Sequence, residues 1–231
     1  MNYFAHGYRF LDDPYFLAGT AVPDWLSVMD RRMRARSKTA RAFLDHPDSA
    51  VASVAAGIVQ HHDDDRWFHR TRAFAECHLD LSAAVRSILP GDDGFRPSFL
   101  GHLLVEILLD AALIADDPAR LDGYYAAFER VDAHTVADAV NRMATRRNAR
   151  LAAFIPVFCS ERFLYDYGED EKLLWRLNHV MRRVKLPPLP DRFLRILPDA
   201  RRRVRRRRDE LLAGVGAHGE TDEATLQTGG E

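Results

Sequence analysis

The chain has 231 residues, of which 47% are hydrophobic and 29% are charged, a composition typical of one globular domain with a buried core. The formal net charge of -1 gives no overall field that favours nucleic acid. Cys77 and Cys159 stand apart and outside any CxxC pattern, which argues against a disulfide scaffold and indicates a reducing compartment. The first residues do not form a signal peptide and no apolar run approaches a membrane span, so we expect a cytoplasmic protein.

Helical periodicity runs through most of the chain and predicts an all-α, single-domain helical bundle. Turn signals at Asp12-Asp13-Pro14 and Pro23-Asp24 predict an irregular start over residues 1–24. The basic segment 29–44 is expected to be helical. Further helices are predicted at about 48–78 (broken at most once), 80–89, 98–115, 118–130, 134–148, 150–165, 169–183 and 200–214. The domain is expected to cover residues 1–213, followed by a disordered tail at 214–231.

The apolar helix predicted at 98–115 carries three residues with metal-binding side chains. His102, Glu106 and Asp110 follow one another at i, i+4 and i+8, which places them on one stripe of a helix. A buried carboxylate is normally paired or bound to a metal ion. The alternative is a solvent-facing stripe, but such stripes usually carry Lys, Arg and Gln, which are absent here.

The stretch GIVQHHDDDRWFHR, residues 57–70, repeats this periodicity. His61, Asp65 and His69 again fall at i, i+4 and i+8, and His62 is placed so that it can replace His61. Two such helices facing each other across a bundle can hold divalent ions between them. Imidazole and carboxylate ligands together suit ions such as Zn, Mn or Fe. Asp63 and Asp64 are expected to orient a ligand histidine or to face water.

Two residues near the start of the chain have matching chemistry. His6 lies in a hydrophobic segment, and Asp24 lies between Pro23 and Trp25. Taken alone, His6 is better explained as a core histidine bonded to the backbone, and Asp24 as a helix N-cap. Together with the two helical stripes, both become candidate metal ligands.

These elements resemble the acyl carrier protein phosphodiesterase family. The resemblance lies in an N-terminal MNYFAH, a G…PDW element, a GIxxHHxxDxxFH helix and a later acidic helix ending in LLD, and it covers roughly residues 1–115. It implies an all-helical, metal-requiring relative of the HD-type phosphohydrolases, and matches His6, Asp24, His61, Asp65 and Asp110 by position. His62 replaces an arginine of the family, and Asp110-Ala111 replaces a late Asp-His pair, so the resemblance does not predict the family's substrate for this protein.

A second resemblance, to helical zinc phospholipases C and single-strand nucleases, rests on HxxxD and HxxxE elements.

The shared chemistry of these families implies metal-assisted hydrolysis of a phosphate ester, a phosphodiester or a phosphomonoester. Two or more divalent ions (Mn, Fe, Zn or Mg) would activate a water molecule and neutralise the phosphoryl oxygens. The expected ligands are His6, Asp24, His61, His62, Asp65, His69, His102, Glu106 and Asp110. Asp65, Glu106 and Arg66 are the expected catalytic residues, with Glu106 or Asp64 accepting the proton of water and Arg66 binding phosphate, although an ion pair at the surface explains Arg66 better.

Two other functions remain open from the sequence. The same residues would also make a structural metal site or a buried polar network without catalysis. Alternatively, RRRVRRRR at 201–208 would make the chain a basic-tailed adaptor for nucleic acid or an acidic partner. The expected partner is a phosphorylated substrate, a carrier protein or a small molecule, rather than nucleic acid. The oligomeric state is left open.

Overall fold

Helices make up the regular structure of residues 1–30, 32–89, 91 and 94–214, the part of the chain that the computed structural model describes. The α-helices are α1 (Tyr3–Gly7), α2 (Pro14–Met29), α3 (Ser37–Ala40), α4 (Ser49–Phe68), α5 (Arg72–Ile88), α6 (Pro97–Asp116), α7 (Pro118–Glu129), α8 (Ala133–Met143), α9 (Leu151–Glu161), α10 (Asp170–Arg183), α11 (Leu197–Arg206) and α12 (Arg208–Leu212). Short 3-10 helices lie at Arg41–Phe43, Phe163–Gly168 and Asp191–Ile196. The predicted all-α, single-domain bundle is confirmed. Apart from Gly214, the predicted tail lies outside the described residues.

The irregular start predicted for residues 1–24 is wrong, because both turn signals belong to helices. Pro14 is the first residue of α2, and the Asp13 side chain caps it by accepting a hydrogen bond from the amide of Phe16 at 3.0 Å. Proline suits this position because its missing N–H has no partner in the first turn of a helix. Pro23 lies inside α2, where proline costs a hydrogen bond. Burial of Trp25 and its neighbours on the same helix offsets that cost.

The basic segment 29–44 is helical over only about half of its described residues. Met29 ends α2, and the other helical residues belong to α3 and the adjoining 3-10 turn. Ala35 is extended instead and forms an isolated bridge with Ala144, and both Met33 and Ala35 are buried. Residues 32–36 therefore form an extended strap over the end of α8. Burial of alternate side chains in this strap outweighs the helix propensity of its arginines and alanine.

Several predicted boundaries also shift. The helix predicted at 48–78 ends at Phe68, and the chain turns through His69 before α5 begins at Arg72. Thr71 caps α5 through its hydroxyl, which accepts from the amide of Phe74 at 3.1 Å. The helix predicted at 200–214 is interrupted at Arg207. A Thr cap after a turn is a start signal, so the first of these breaks was readable in the sequence.

Helices α2 and α4 touch backbone to backbone at two glycines. A Cβ atom on Gly57 would lie 2.1 Å from the carbonyl oxygen of Phe16 and 2.8 Å from the Cα of Gly19. A Cβ atom on Gly19 would lie 2.4 Å from the carbonyl oxygen of Val54. No side chain fits at these positions without separating the helices. The contact brings the residues that follow Gly57 on α4 directly against α2.

The central helix of the bundle is α6. It packs against α1, α5, α7 and α11. Among the described residues it is the one helix with the length and apolar composition of a membrane span, but 56% of that window is buried inside the protein. A central helix covered by other helices must be apolar nearly all round, so its composition follows from its position. The polar exceptions, His102, Glu106 and Asp110, lie on one stripe of it.

We predict that Gly57→Ala strongly destabilises the protein. The new methyl group meets backbone atoms that cannot rotate away, so α2 and α4 must separate, and overpacking of this kind costs about 1–3 kcal/mol. Gly168→Ala is the matched control, because nothing lies within 4 Å of a Cβ atom there. Urea denaturation followed by circular dichroism should show a lower midpoint for the first variant alone. Equal midpoints would contradict the backbone contact.

Candidate metal centre

His6, His61 and Asp65 form the first of two groups of metal-binding side chains. His6 lies on α1, and the other two lie one turn apart on α4. Each residue offers one ligand atom, and these atoms lie within 4.8 Å of one another. The carboxylate is central, with His6 Nε2 3.4 Å from Asp65 Oδ1 and His61 Nε2 3.6 Å from Asp65 Oδ2. Both histidines are buried. The structure thus unites three residues that the sequence predicted as metal ligands.

The orientation of His61 depends on the glycine contact between α2 and α4. Its Nδ1 atom lies 2.8 Å from the carbonyl oxygen of Thr20, the residue after Gly19. A carbonyl oxygen only accepts, so Nδ1 carries the proton and the lone pair of Nε2 faces Asp65. Burial lowers the pKa of His61 well below its usual value, which keeps the ring neutral. A neutral imidazole with its far nitrogen fixed by a hydrogen bond is the form that binds metal ions.

His6 is fixed in the same way by Asp64. Its Nδ1 atom lies 3.3 Å from Asp64 Oδ2, and the Gln60 side chain donates to the other oxygen at 2.8 Å. Asp64 therefore orients a histidine, which is one of the two roles that the sequence allowed for it. Burial lowers the pKa of His6, but hydrogen bonds to Asp64 and Asp65 outweigh it and raise the pKa to about 9. The Nε2 atom of His6 is buried and has no well-formed hydrogen bond.

His69, His102 and Glu106 form the second group. His69 is the residue at which α4 ends, whereas the other two lie one turn apart on α6. Both histidine Nε2 atoms contact the same oxygen, Glu106 Oε1, at 3.0 and 3.1 Å. Phe74 packs its ring edge-to-face against both imidazoles. The break in the chain after Phe68 therefore has a function in this arrangement, because it turns His69 toward α6.

A single positive charge connects the two groups. The α-ammonium of Met1 lies 2.5 Å from Asp65 Oδ1 and 3.2 Å from Glu106 Oε1, and it is buried. Burial lowers the pKa of this amine, but the charges of Glu106 and Asp65 outweigh it and raise the pKa to about 10. The same contact helps to hold the pKa values of both carboxyl groups below their usual range despite burial. The two groups therefore share one space in which the structure already places a cation.

Asp24 faces the same space but belongs to neither group. Its Oδ2 atom is buried and has no hydrogen-bond partner. Burial raises the pKa of Asp24 to about 7, and the nearby charges of His6 and Asp65 act on it in opposite directions. An unpartnered buried carboxyl oxygen is costly. Asp24 is therefore not the N-cap that its sequence position also allowed, since it lies in the interior of α2.

Asp110 and His62, two other expected ligands, have different partners. The Asp110 carboxylate accepts hydrogen bonds from the amides of Phe4 and Ala5 at 3.0 and 2.7 Å and from Asn2 Nδ2 at 3.0 Å. It thereby holds the start of α1 against α6. His62 Nε2 lies 2.7 Å from the carbonyl oxygen of Ala35 and holds the extended strap. Both residues support the site rather than join either group.

Arg66 is half exposed and pairs with Asp63 at 2.7 Å, one turn earlier on α4. Arg41 binds the other oxygen of the same carboxylate at 2.9 Å. The structure therefore places Arg66 in the surface ion pair that was the simpler of its two interpretations, away from both groups of ligands.

The arginine-rich segment is also used within the protein. Acidic residues of other helices pair with its guanidinium groups: Arg201 with Asp170, Arg203 with Asp80, Arg207 with Glu76, and Arg205 and Arg208 with Asp116. These pairs fasten α11 and α12 across α5, α6 and α10. The segment therefore takes part in the packing of the bundle, although Arg202, Arg203, Arg205 and Arg206 remain exposed.

The donor set fits divalent ions. It combines imidazole nitrogens and carboxylate oxygens without sulfur, which suits Mn, Fe or Zn better than Mg, an ion that prefers oxygen ligands. Two of its buried atoms, His6 Nε2 and Asp24 Oδ2, make no well-formed hydrogen bond, and a cationic group already lies between the carboxylates. No protein-family model, curated protein or solved structure matches this chain.

Proposed function

We propose that this protein is a metal-dependent hydrolase that cleaves a phosphate ester. The observation that carries the proposal is that two His/carboxylate groups, contributed by α1, α4 and α6, meet around one positively charged position. Paired metal positions of this kind are typical of enzymes that displace groups at phosphorus. The resemblance of residues 1–115 to metal-requiring phosphohydrolases supports phosphate rather than acyl chemistry.

One ion would be held by His6, His61 and Asp65, and a second by His69, His102 and Glu106. When bound, the ions would supply a nucleophilic water at neutral pH and charge neutralisation for the phosphoryl oxygens. Side chains and backbone groups of the protein would orient the ligands of these ions. Thr20 and Asp64 keep the protons on the far nitrogens of His61 and His6, so that both Nε2 atoms present lone pairs.

Asp24 is the carboxyl group best placed to accept a proton from the attacking water. Glu106 is engaged by two histidines, and Asp64 is engaged by His6 and Gln60. Asp24 instead keeps one oxygen without a partner. It lines a cavity together with Glu106, so a substrate in that cavity would lie within its reach. A general base must first be within hydrogen-bond distance of the proton that it takes.

The alternative is a polar network that stabilises the bundle without catalysis. The α-ammonium of Met1 favours it, because it already satisfies Asp65 and Glu106. The two functions differ in an observable way. A purely structural network would bind no ion with useful affinity, whereas the hydrolase would bind two and release phosphate or an alcohol from an ester.

We predict that Asp65→Ala abolishes both ion binding at the first group and hydrolysis. Removing the central carboxylate leaves two histidines, which hold a divalent ion weakly. Asp63→Ala is the matched control, because Asp63 lies two residues earlier on the same helix and pairs only with surface arginines in the structure. Elemental analysis and a panel of phosphomonoesters and phosphodiesters with Mn, Mg, Zn or Fe provide the measurement. Full ion content in Asp65→Ala would exclude its role as a ligand.

We predict that His102→Ala lowers the ion content from two per chain to one. The second group shares no ligand with the first, so the ion held by His6, His61 and Asp65 should remain. His134→Ala, which changes an exposed histidine on α8, should keep both ions. Isothermal titration with Mn²⁺ gives the stoichiometry of each variant. Loss of both ions in His102→Ala would contradict independent positions.

We predict that ion affinity increases with pH between about 6.5 and 9. The pKa of His6 is raised to about 9 in the ion-free protein, and an ion binds only the neutral ring. Binding must therefore release this proton, which weakens affinity by about tenfold for each unit that the pH falls below that pKa. Asp64→Asn removes a charge that holds the proton and should flatten the dependence. Titrations in buffers of different ionisation enthalpy count the released protons, and a count of zero would refute the coupling.

A further inference from the structure

A cavity of about 360 Å³ opens beside Glu106, the carboxylate of the second ligand group. Asp24, the proposed proton acceptor, also lines its wall. Any molecule whose phosphate lies at the ligand groups would therefore extend its remaining atoms into this cavity. The volume lies within the range of small-molecule sites and, at roughly 30 Å³ for each water-sized group, holds about a dozen of them.

Most of the cavity wall is apolar. It is formed by side chains of α6, α9, α10 and the 3-10 turn after α9: Leu103, Ile107, Phe154, Phe158, Phe163 and Val180. Such a surface gains free energy by covering hydrocarbon and offers little to a sugar or a nucleobase edge, which need hydrogen-bond partners. The part of the ligand inside the cavity should therefore be an alkyl chain or an aromatic ring.

The opening of the cavity is apolar as well. Val28 of α2 and Val157 of α9 line it, and they are 37% and 52% exposed. Trp175 of α10, which is 51% exposed, packs on His179, a residue of the cavity wall, at 3.9 Å between ring centroids. Large exposed apolar side chains are uncommon among the described residues of this protein. Their collection at one opening indicates that an apolar group enters there.

The wall also carries cationic side chains, one of which is paired with acidic residues. Arg176 and Arg183 of α10 both line the cavity, as does His179 between them on the same helix. Arg176 is fixed by Asp166 at 2.6 Å and lies over the rings of Phe163 and Trp175. The carboxylate Glu161 also lines the wall, 3.7 Å from Arg176. Cations on α10 and the Glu106 carboxylate on α6 therefore lie at the same cavity.

From these observations we propose that the substrate is an anionic amphiphile, a phosphate ester whose esterified group is an alkyl chain or aromatic ring that fills the cavity. This inference rests on the proposed function for the position of the phosphate. It adds that the protein recognises, besides the phosphate, an apolar group of about a dozen heavy atoms.

The test measures binding of non-hydrolysable alkylphosphonates with methyl, butyl and octyl chains to the Mn²⁺-loaded protein by isothermal titration. Affinity should increase about fourfold for each added methylene that the cavity buries, and octylphosphonate should bind more tightly than octanol. Equal affinity for methyl- and octylphosphonate would overturn the proposal. Equal affinity for octanol and octylphosphonate would overturn its anionic part.

Variants at the opening test whether the alkyl chain of the ligand lies in the cavity. Val157→Trp and Val28→Trp place a large ring in the opening and should weaken octylphosphonate at least tenfold more than methylphosphonate. Leu79→Trp is the matched control, because Leu79 is 68% exposed on α5 and does not line the cavity. An unchanged preference for the octyl chain in both opening variants would refute the site.

The same chain-length series, made as phosphate esters, separates this proposal from the proposed function. Chain-length-dependent binding without hydrolysis of any ester would leave the cavity assignment standing and refute the hydrolase. Hydrolysis with equal kcat/KM for methyl and octyl esters would support the hydrolase and overturn the amphiphilic substrate.

Discussion

The structure depends on one electrostatic constraint: acidic side chains from two helices face each other inside the protein and need positive charge between them. Asp65 and Glu106 are largely buried and keep their pKa values low only because cationic groups touch them. In the ion-free protein the Met1 ammonium contacts both carboxylates, His6 contacts Asp65, and the imidazoles of His69 and His102 contact Glu106. A buried carboxylate that lost its partner would cost several kcal/mol. The interior of this bundle therefore needs positive charge beside these two carboxylates.

Two features of the fold create that interior. The first is the backbone contact at Gly19 and Gly57, which places His61 against the carbonyl oxygen of Thr20. The second is Asp110, whose carboxylate receives the amides of Phe4 and Ala5 and so fixes α1 on α6. His6 follows Ala5 directly and is thereby aimed at Asp64 and Asp65. His6 and His61 are thus each positioned by a backbone contact of a residue that lies a residue or a turn away in the sequence.

The sequence predicted the parts of this arrangement that depend on local spacing. The i, i+4 pairs of His61 with Asp65 and of His102 with Glu106 require only that their segments be helical, and both segments are. The sequence allowed one break in the helix predicted at 48–78, but periodicity alone did not place that break at His69, where the chain turns. Helical spacing also predicted Asp110 as a metal ligand on the same grounds as Glu106. Which face of α6 meets α1 is a tertiary property, and spacing along one helix does not contain it.

Other features were harder to predict because the same sequence pattern is compatible with two different structures. Asp-Pro begins a helix as readily as it begins a turn, so Asp13-Pro14 was taken as a turn although it starts α2. The arginine-rich segment resembled a surface for nucleic acid, but its partners are acidic residues far away in the chain, such as Asp80 and Asp116. The cavity beside Asp24 and Glu106 could not be read from any single segment, because α2, α6, α9 and α10 each supply only part of its wall.

The two ligand groups differ in burial, and this difference assigns them different roles. The side chains of His6 and His61 are 0% and 4% exposed, whereas those of His69 and His102 are 30% and 41% exposed. In the first group the two imidazoles are covered by the protein, whereas the side chain of Asp65 is 32% exposed. An ion in the second group would retain contact with solvent through His69 and His102 and could give up a coordination position to a ligand. Because Glu106 belongs to the second group and also lines the cavity, the proposed function places the exchange of phosphate with water at the second group.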